Sequence, residues 1–361
     1  IWVFALAVLF QVVTLPVEFN ASINLLSNLN NLFSKYNLGN IKGEPELVTG
    51  GLLHKMYHVS TDKGDYAIKL LNPDIMKRAD ALTNMINSEL VSNALVDVIN
   101  LIAAKSFNGN SIIDVGGIYF VVFDWLDGKS IFAPDILKQH CEQIGRALGL
   151  IHSAHIKIDS LKMNHNIRKM YDWNIFVDSA KKSNSKIYTL LVDNLADIMN
   201  WDENAVCGLQ EASDIQVVSH RDLDPKNVMW QNDIPFIIDW EAAGYVNPYQ
   251  ELIEVLNYWI QNKAGGYDKE KFIALMSAYT EYNDISSVNW QVILNCSFDG
   301  MLGWLEYNVK RALCLEGTGA NDKQEGISQS IGTVDELKKY ENQMRQLKEW
   351  IDEYVRNKYT L

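Results

Sequence analysis

A polar run at residues 219–230, SHRDLDPKNVMW, and the IIDWE that follows at 237–241 constrain the fold of this chain more than any other stretch. Apolar residues at 228–230 and 236–238 flank QNDIP, a turn-rich stretch, and this pattern predicts a β-hairpin centred on Asp233. In an antiparallel pair, residues equidistant from the turn lie opposite each other. The spacing therefore predicts that Asn227 and Asp239 face each other at the open end of the hairpin.

An amide and a carboxylate in that position would present two oxygen atoms to a common space. Oxygen atoms are the ligands that Mg²⁺ prefers, together with waters and the phosphates of a nucleotide. Asp222 lies on the loop that leads into the hairpin, five residues before Asn227, where it could act as a base toward a hydroxyl group. The spacing leaves one alternative open, a polar hairpin base without a metal ion.

The first third of the chain has the residue pattern of a small antiparallel sheet. The alternating runs KMYHVS and DYAIKLL are joined by TDKG, ELV precedes them, and SIIDVGGIYFVVFDW predicts two further strands across a Gly-Gly turn. Residues 80–99 have helical spacing. We expect the apolar residues of this helix to lie near one face: Leu82, Met85, Ile86, Leu90 and Leu95.

From Pro134 onward the pattern is mostly helical. The predicted helices include residues 141–155, 187–200, 250–261, 269–282, 290–315 and 334–358. Residues 316–330 lack periodicity and are predicted to form a loop. The change of pattern near Asp127 predicts an α+β chain of two parts, a β-rich part at residues 1–127 and a helical part at 128–361.

Charge and cysteine content narrow the classes of partner. The formal net charge is -13, and a surface this acidic repels a phosphate backbone, so we expect no nucleic-acid partner. The four cysteines form no CxxC pair and no metal-ligand spacing, which fits a reducing, cytoplasmic location.

Residues 1–17, IWVFALAVLFQVVTLPV, are almost wholly apolar. No basic residues precede the run, no small-residue cleavage site follows it, and it is shorter than the roughly 20 residues of a membrane span. We expect a packed segment and no membrane partner. The alternative is a remnant of a targeting or membrane segment.

HRDLDPKN followed by IIDWE resembles the catalytic and metal-binding motifs of the protein-kinase-like superfamily, and most closely those of the aminoglycoside phosphotransferase family. Lys69 in YAIKLL resembles the nucleotide-binding lysine of the third strand, and Glu89 in NSEL its ion-pair partner on the next helix. FVVFDWLDG resembles the hinge strand, and IGRALGLIH resembles a helix that ends in Leu-His in relatives. The resemblance covers about residues 46–259 and implies a bilobal kinase-like fold.

The resemblance implies roles for the polar residues. Asp222 would be the catalytic aspartate that orients or accepts the proton of the acceptor hydroxyl. Asn227 and Asp239 would bind Mg²⁺ that bridges the nucleotide phosphates. Lys69 would contact those phosphates, oriented by Glu89.

The nucleotide site would be completed by the hinge and by a glycine loop. Backbone groups between Phe123 and Leu126, a stretch that includes Trp125, would hydrogen-bond the base of ATP or GTP. Gly50 and Gly51 occupy the phosphate-covering loop, but the GxGxxG pattern is absent there. His220 is expected to fix the catalytic loop rather than to move protons.

The acceptor is expected to be a small molecule. WEAAGYVNPYQEL leads from Asp239 into a helix within about ten residues, too few for the peptide-binding platform of a protein kinase. A cationic or sugar-like acceptor, such as an aminoglycoside, would need carboxylates, and Glu241 is the first candidate, followed by Asp224. Other acidic and aromatic residues are candidates for this pocket, or else lie on the solvated surface or in the core: Glu251, Glu254, Asp299, Glu306, Trp240, Tyr245, Trp259 and Trp304.

Two alternatives to this function remain. The first is a choline-, ethanolamine- or thiamine-type kinase of the same fold. The second is a catalytically silent nucleotide-binding protein, which would be favoured if Lys69, Asp222, Asn227 or Asp239 were missing. All four are present.

Overall fold

The computed structural model describes residues 25–48, 54–163, 167–316 and 320–359 of the 361-residue chain. The predicted phosphate-loop glycines, Gly50 and Gly51, and the apolar run at residues 1–17 lie outside the described residues.

Five strands form one antiparallel sheet, in the spatial order β1-β2-β3-β5-β4. They are β1 (Glu46–Val48), β2 (Lys55–Ser60), β3 (Asp65–Leu70), β4 (Ile113–Val115) and β5 (Ile118–Asp124). The predicted strands are confirmed, because alternating apolar residues and glycine turns are local signals. We call this sheet, together with the helices α1 to α3 described next, the N-terminal lobe.

The two faces of the sheet have different neighbours. Helix α1 (Leu25–Lys35) packs on one face, where Leu29 and Phe33 join Ile68 and Val122 in a closed apolar cluster. Because side chains alternate along a strand, Lys69 lies on the opposite face. That face is turned toward the C-terminal part of the chain, as the contacts of Lys69 described below establish.

The predicted helix at residues 80–99 is present as α3 (Ala81–Leu95), after a short helix α2 (Pro73–Met76). Its predicted apolar face is wrong: Leu82, Ile86 and Leu90 are 36–44% exposed, whereas Met85 and Leu95 are buried. More than half of the buried residues of α3 are polar, because α3 packs against the IIDWE segment, whereas Val91 and Leu95 join an apolar core.

Among the described residues, eight α-helices follow: α4 (Lys138–Ser153), α5 (Trp173–Lys182), α6 (Ile187–Ala212), α7 (Pro248–Trp259), α8 (Lys269–Tyr279), α9 (Trp290–Cys296), α10 (Phe298–Ala312) and α11 (Ala320–Tyr359). We call the part of the chain from α4 onward the C-terminal lobe, and the α+β architecture is confirmed. The helix predicted at 290–315 is two helices that meet at Ser297. None of the described helices is both long and apolar enough to cross a membrane. A boundary at residues 127–128 remains a prediction.

The loop predicted at residues 316–330 is wrong from Ala320 onward, where α11 begins. Arg311 on α10 pairs with Asp322 at 3.2 Å and with Glu325 at 2.6 Å. A Cβ on Gly326 would lie 2.6 Å from the backbone nitrogen of Ala312, so the two helices come into close contact there. Ion pairs and a glycine contact produce no apolar periodicity in the sequence. The sequence pattern therefore did not predict the helix between residues 320 and 330.

Candidate active site

The predicted catalytic loop lies between two short antiparallel ladders. β6 (Val217–Ser219) pairs with β9 (Gly244–Val246), and β7 (Val228–Gln231) pairs with β8 (Ile234–Ile237). The second ladder is the predicted hairpin, so the local signal of two apolar runs around a turn is confirmed.

The register of this hairpin differs from the prediction by one residue. The turn consists of Asn232 and Asp233, both at positive φ, as a tight two-residue turn requires. Asn227 therefore lies opposite Ile238, whose amide donates to the carbonyl of Asn227 at 2.9 Å, and not opposite Asp239. Asp239 follows with a φ of 60°, which turns the chain out of the ladder.

Asp239 contacts the N-terminal lobe instead. Its Oδ1 lies 3.2 Å from the Nζ of Lys69, and the Oε1 of Glu241 lies 2.6 Å from the same nitrogen. Burial alone would lower the pKa of Lys69, but the two carboxylates outweigh it and raise that pKa. The lysine of YAIKLL and the carboxylates of IIDWE, about 170 residues apart, thus meet in one cleft.

Asp222 and Asn227 are brought together as predicted. The carboxylate of Asp222 accepts from the Nδ2 of Asn227 at 2.9 Å and from the Nζ of Lys226 at 3.1 Å. Burial raises the pKa of Asp222, although Lys226 acts in the opposite direction. A carboxylate that is partly withdrawn from water is better suited to accept a proton than a solvated one.

His220 fixes the loop, as predicted. Its ring is fully buried, its Nε2 donates to the carbonyl of Ile238 at 3.0 Å, and its Nδ1 accepts from the amide of Asp222 at 3.3 Å. The imidazole uses both nitrogens within the protein, one as donor and one as acceptor. It therefore links the loop of Asp222 to the segment just after β8, which carries Asp239.

A second buried group holds Arg221, which has a φ of 66°. The amide of Arg221 donates to the Oε1 of Glu251 at 2.6 Å, and the Oε2 of Glu251 lies 2.8 Å from the Nε2 of His152. Burial alone would raise the pKa of Glu251, but hydrogen bonds from His152 and its other neighbours lower it. Glu251 is therefore a loop anchor and not an acceptor carboxylate. Its place in an apolar helix and the histidine near the end of α4, His152, were the available signals.

Glu241 is also placed differently from the prediction. Besides the contact to Lys69, its Oε2 lies 3.5 Å from the Nε2 of His54. The Nδ1 of His54 accepts from the backbone amide of Asn72 at 2.9 Å. Both oxygens of Glu241 thus face side chains of the N-terminal part of the chain, Lys69 and His54. No motif in the sequence marked His54.

Glu89 does not form the predicted ion pair with Lys69. One carboxylate oxygen of Glu89 accepts from the amide of Ala104 at 3.3 Å and from the Oγ of Ser92 at 3.4 Å. Burial raises the pKa of Glu89, although the charge of Lys69 lowers it in part. Glu89 is close enough to Lys69 to feel its charge, but its hydrogen bonds are to Ala104 and Ser92.

The hinge residues lie on the cleft face of the sheet. Phe123 is paired with Ala67 across the strands, two residues before Lys69. Trp125 is 37% exposed, and its ring contacts that of His58 at a tilt of 34°, with centroids 4.1 Å apart. The amide of Trp125 already donates to the carbonyl of Asp65 at 3.1 Å, so it is not the donor that the predicted base contact requires.

The remaining acceptor candidates lie mostly in the core or have structural contacts. Trp240 and Trp259 are buried, and Trp259 donates to the carbonyl of Leu223 at 2.9 Å, so both belong to the core. The Oδ1 of Asp224 accepts from the amide of Lys226 and caps a short helical turn. Trp304 is buried as well, and Tyr245 is half-buried in the β6–β9 ladder.

Of the other carboxylates, Asp299 pairs with Arg168 at 2.6 Å and Glu306 with Lys310 at 2.7 Å. Glu254 has a weaker contact, 3.5 Å to the Nε2 of Gln250. Burial, followed by the charge of Glu251, raises the pKa of Glu254 to about 8.

A cavity of about 90 Å³ opens beside the C-terminal end of α7. Amides and phenols are prominent in its lining, which includes Asn257, Tyr258, Gln261, Tyr267, Tyr340 and Gln343. Burial raises the pKa of Tyr258, and the charges of Glu254, Asp222 and Asp224 raise it further. Tyr258, which lines the cavity, is thus close enough to the loop of Asp222 and Asp224 to feel their charges.

In the part of the chain that the structure describes, no three His, Cys, Asp or Glu side chains are grouped as metal ligands. The donor set of Asn227 and Asp239 nevertheless suits Mg²⁺. Asn227 donates to Asp222 through its amide nitrogen, which leaves the amide oxygen as a ligand atom. The side chain of Asp239 is 46% exposed at the cleft.

Comparisons with known proteins agree with this geometry. Residues 44–284 match the family model described as the phosphotransferase enzyme family (APH). Residues 1–39, a stretch without histidine or cysteine, match a model described as a neutral zinc metallopeptidase.

Three solved structures illustrate the shared fold. A spectinomycin phosphotransferase in complex with ADP and spectinomycin has a TM-score of 0.60 and 15% identity, over 87% of this chain and 98% of that one. An amicoumacin kinase in complex with AMP-PNP and Ca²⁺ has a TM-score of 0.57 and 13% identity, over 85% and 93%. A choline kinase from Cryptosporidium parvum has a TM-score of 0.53 and 11% identity, over 91% and 97%.

Curated relatives include two homoserine kinases. That of Sinorhizobium medicae is 26% identical over 169 residues, or 46% of this chain and 49% of the relative. That of Sinorhizobium fredii is 24% identical over 172 residues, with the same coverage. The chain spans about half the length of the curated relatives it matches.

Proposed function

Because the chain belongs to the phosphotransferase enzyme family, we propose that it transfers the terminal phosphate of ATP or GTP to a hydroxyl group of a small molecule in the cytoplasm. One observation carries the proposal: Lys69 on the cleft face of the sheet contacts Asp239 directly, beside a loop in which Asp222 is bonded to Asn227. This arrangement supports a cleft in which groups for the nucleotide and for the acceptor act together.

In the proposed reaction the acceptor oxygen bonds to the terminal phosphorus, and the bond from that phosphorus to the bridging oxygen of the nucleotide breaks. The hydroxyl proton passes to the carboxylate of Asp222, whose burial makes it a stronger base. Lys69 neutralises phosphate charge. Asn227 and Asp239 are the residues that would bind Mg²⁺, which supplies further charge neutralisation when bound.

The acceptor we propose is an alcohol that also carries an amine. Glu254 is half-buried, with one long hydrogen bond, and lies close enough to Asp222 for their charges to interact, so an ammonium group would give it a partner. The cavity at Tyr258 offers amides and phenols for further hydroxyl groups. Amino sugars fit this description, and the family supports them.

A second candidate acceptor is homoserine, a small amino acid with a terminal hydroxyl. The homoserine kinases among the curated relatives favour it, although they share only half of their length with this chain. Homoserine carries the amine and the alcohol that Glu254 and Asp222 would recognise.

A transfer assay with γ-labelled ATP or GTP, Mg²⁺ and a panel of amino sugars, choline, thiamine and homoserine tests the proposal. We expect label to pass to at least one amino alcohol, and Glu254→Gln to raise the KM for that compound more than it lowers kcat. If the protein bound nucleotide but labelled no hydroxyl compound, the catalytically silent alternative would replace the proposal.

A further inference from the structure

Three carboxylates surround one lysine at the lobe interface. Glu241 lies 2.6 Å and Asp239 3.2 Å from the Nζ of Lys69, whereas Glu89 forms no ion pair with it within 4.0 Å among the described residues. A buried lysine needs at least one steady carboxylate partner, since an unpaired buried charge is costly. The question is which carboxylate remains with Lys69 when a nucleotide and a cation enter.

Asp239 is poorly suited to remain. Its side chain is 46% exposed and its contact to Lys69 is the longer one, whereas Glu241 is 24% exposed and makes the shorter contact. Asp239 is also the proposed metal ligand, so a bound cation would draw it away from Lys69. Glu89 is bonded to Ala104 and Ser92 and would have to give up those contacts to take its place.

Glu241 is held from its other side by His54. The Nδ1 of His54 accepts from the amide of Asn72, so the remaining ring proton is on Nε2 and faces Glu241. His54 is 8% exposed and Asn72 is 2% exposed, which leaves this donor little freedom to turn away. One carboxylate oxygen is thus directed to His54 and the other to Lys69.

We propose that Glu241, positioned by His54, is the residue that orients Lys69 toward the nucleotide phosphates, in the role that the resemblance assigned to Glu89. His54 is a positioning residue and acts through Glu241. The arrangement lets Asp239 leave the lysine for the cation without leaving Lys69 unpaired. This inference rests on the proposed nucleotide site.

Binding of Mg²⁺·AMP-PNP to the full chain, measured by calorimetry, tests the assignment without an acceptor. We expect Glu241→Gln to weaken binding at least tenfold and Glu89→Gln to weaken it less than threefold. A larger effect of Glu89→Gln than of Glu241→Gln would overturn the assignment. If the wild-type protein bound no nucleotide, the proposed nucleotide site would be wrong, and this inference would be wrong as well.

Two substitutions of His54 separate positioning from packing. His54→Gln keeps a nitrogen donor near the place of Nε2, whereas His54→Asn keeps an acceptor for Asn72 near Nδ1 and loses the donor to Glu241. We expect binding to weaken three- to tenfold in His54→Asn and less in His54→Gln. The effect of His54→Asn should vanish in a Glu241→Gln background.

Equal effects of the two His54 variants, or an unchanged effect of His54→Asn in the Glu241→Gln background, would overturn the positioning role. Thermal melts of every variant identify any that fail to fold. If Glu241→Gln fails to fold, Glu241→Asp, which keeps the charge, takes its place in the cycle. It should then bind nucleotide less tightly than wild type, and unchanged binding would count against the assignment.

Discussion

Two carboxylates organise the candidate active site, one across the cleft and one inside the C-terminal lobe. Glu241 joins the IIDWE segment to Lys69 of the sheet. Glu251 joins helix α4, through His152, to the strained backbone of Arg221. Neighbouring donors lower the pKa of both carboxylates, although burial alone would raise it. Each is therefore kept ionised by its partners.

The two clusters differ in exposure and in what they connect. Glu251 and His152 are both about 1% exposed and belong to one lobe, so nothing in a reaction cycle needs to separate them. The Lys69 cluster joins two lobes and is partly exposed. We therefore expect the inner cluster, Glu251 with His152 and the amide of Arg221, to contribute mainly to the stability of the fold. The cross-cleft cluster, Lys69 with Asp239 and Glu241, should contribute mainly to nucleotide binding.

Asp222 lies between the two clusters, and its removal should have the largest effect on turnover. We expect Asp222→Ala to lower kcat by roughly 10³-fold, because the hydroxyl loses its proton acceptor. Mg²⁺·AMP-PNP affinity should change little, as calorimetry would measure. Lys226→Ala, which removes a partner of Asp222 without removing the carboxylate, is the matched control and should cost less. Undiminished turnover in Asp222→Ala would contradict the assigned role.

Glu251→Ala tests the inner cluster. The substitution leaves His152 and the amide of Arg221 without their buried acceptor, and we expect the free energy of unfolding to fall by about 2–4 kcal/mol. Urea denaturation would measure the loss. Glu251→Gln keeps an acceptor oxygen and should cost less. If the protein tolerated Glu251→Ala with no loss of stability, the inner cluster would not have the structural part given to it.

Lys69→Met tests the cross-cleft cluster. We expect Mg²⁺·AMP-PNP affinity to fall about 10- to 100-fold, because Lys69 no longer neutralises phosphate charge and Asp239 and Glu241 then repel each other. Stability should fall less than in Glu251→Ala, which is the contrast between the clusters. Lys63→Met, at the exposed turn between β2 and β3, is the control and should bind nucleotide normally. If Lys69→Met lost more stability than Glu251→Ala, the contrast between the two clusters would be wrong.

The smallest expected effect concerns Glu254 and pH. Its pKa is raised to about 8 in the folded protein, from an ordinary value of 4.5, so the folded state binds this proton more tightly than the unfolded state does. The resulting stability is fully present below about pH 4.5 and is lost as pH rises through about 8. Glu254→Gln should therefore become steadily more stable relative to wild type as pH rises from 5 to 8. Thermal melts across this range measure it, and a pH-independent difference would contradict the prediction.

Local signals in the sequence were sufficient for much of the fold. The five strands, the hairpin of β7 and β8 and the helical C-terminal lobe follow from alternation, turns and helical spacing over a few residues. The one-residue error in the hairpin register arose because Asn232 and Asp233 form a two-residue turn, so the centre lies between them rather than on Asp233. The contact of Asp222 with Asn227 was predictable for the same local reason.

The sequence by itself determined the two kinds of lobe, the loop that carries Asp222 and Asn227, and the presence of Lys69 and Asp239. Tertiary structure alone decided which carboxylate pairs with Lys69, that His54 supports it, and that α11 begins at Ala320. The first two depend on contacts that join Lys69 and His54 to Glu241, 172 or more positions along the chain, and on burial, which affects the charge of each group. Contacts between polar residues that are distant in the chain produce no periodic pattern in the sequence, so the sequence alone could not predict them.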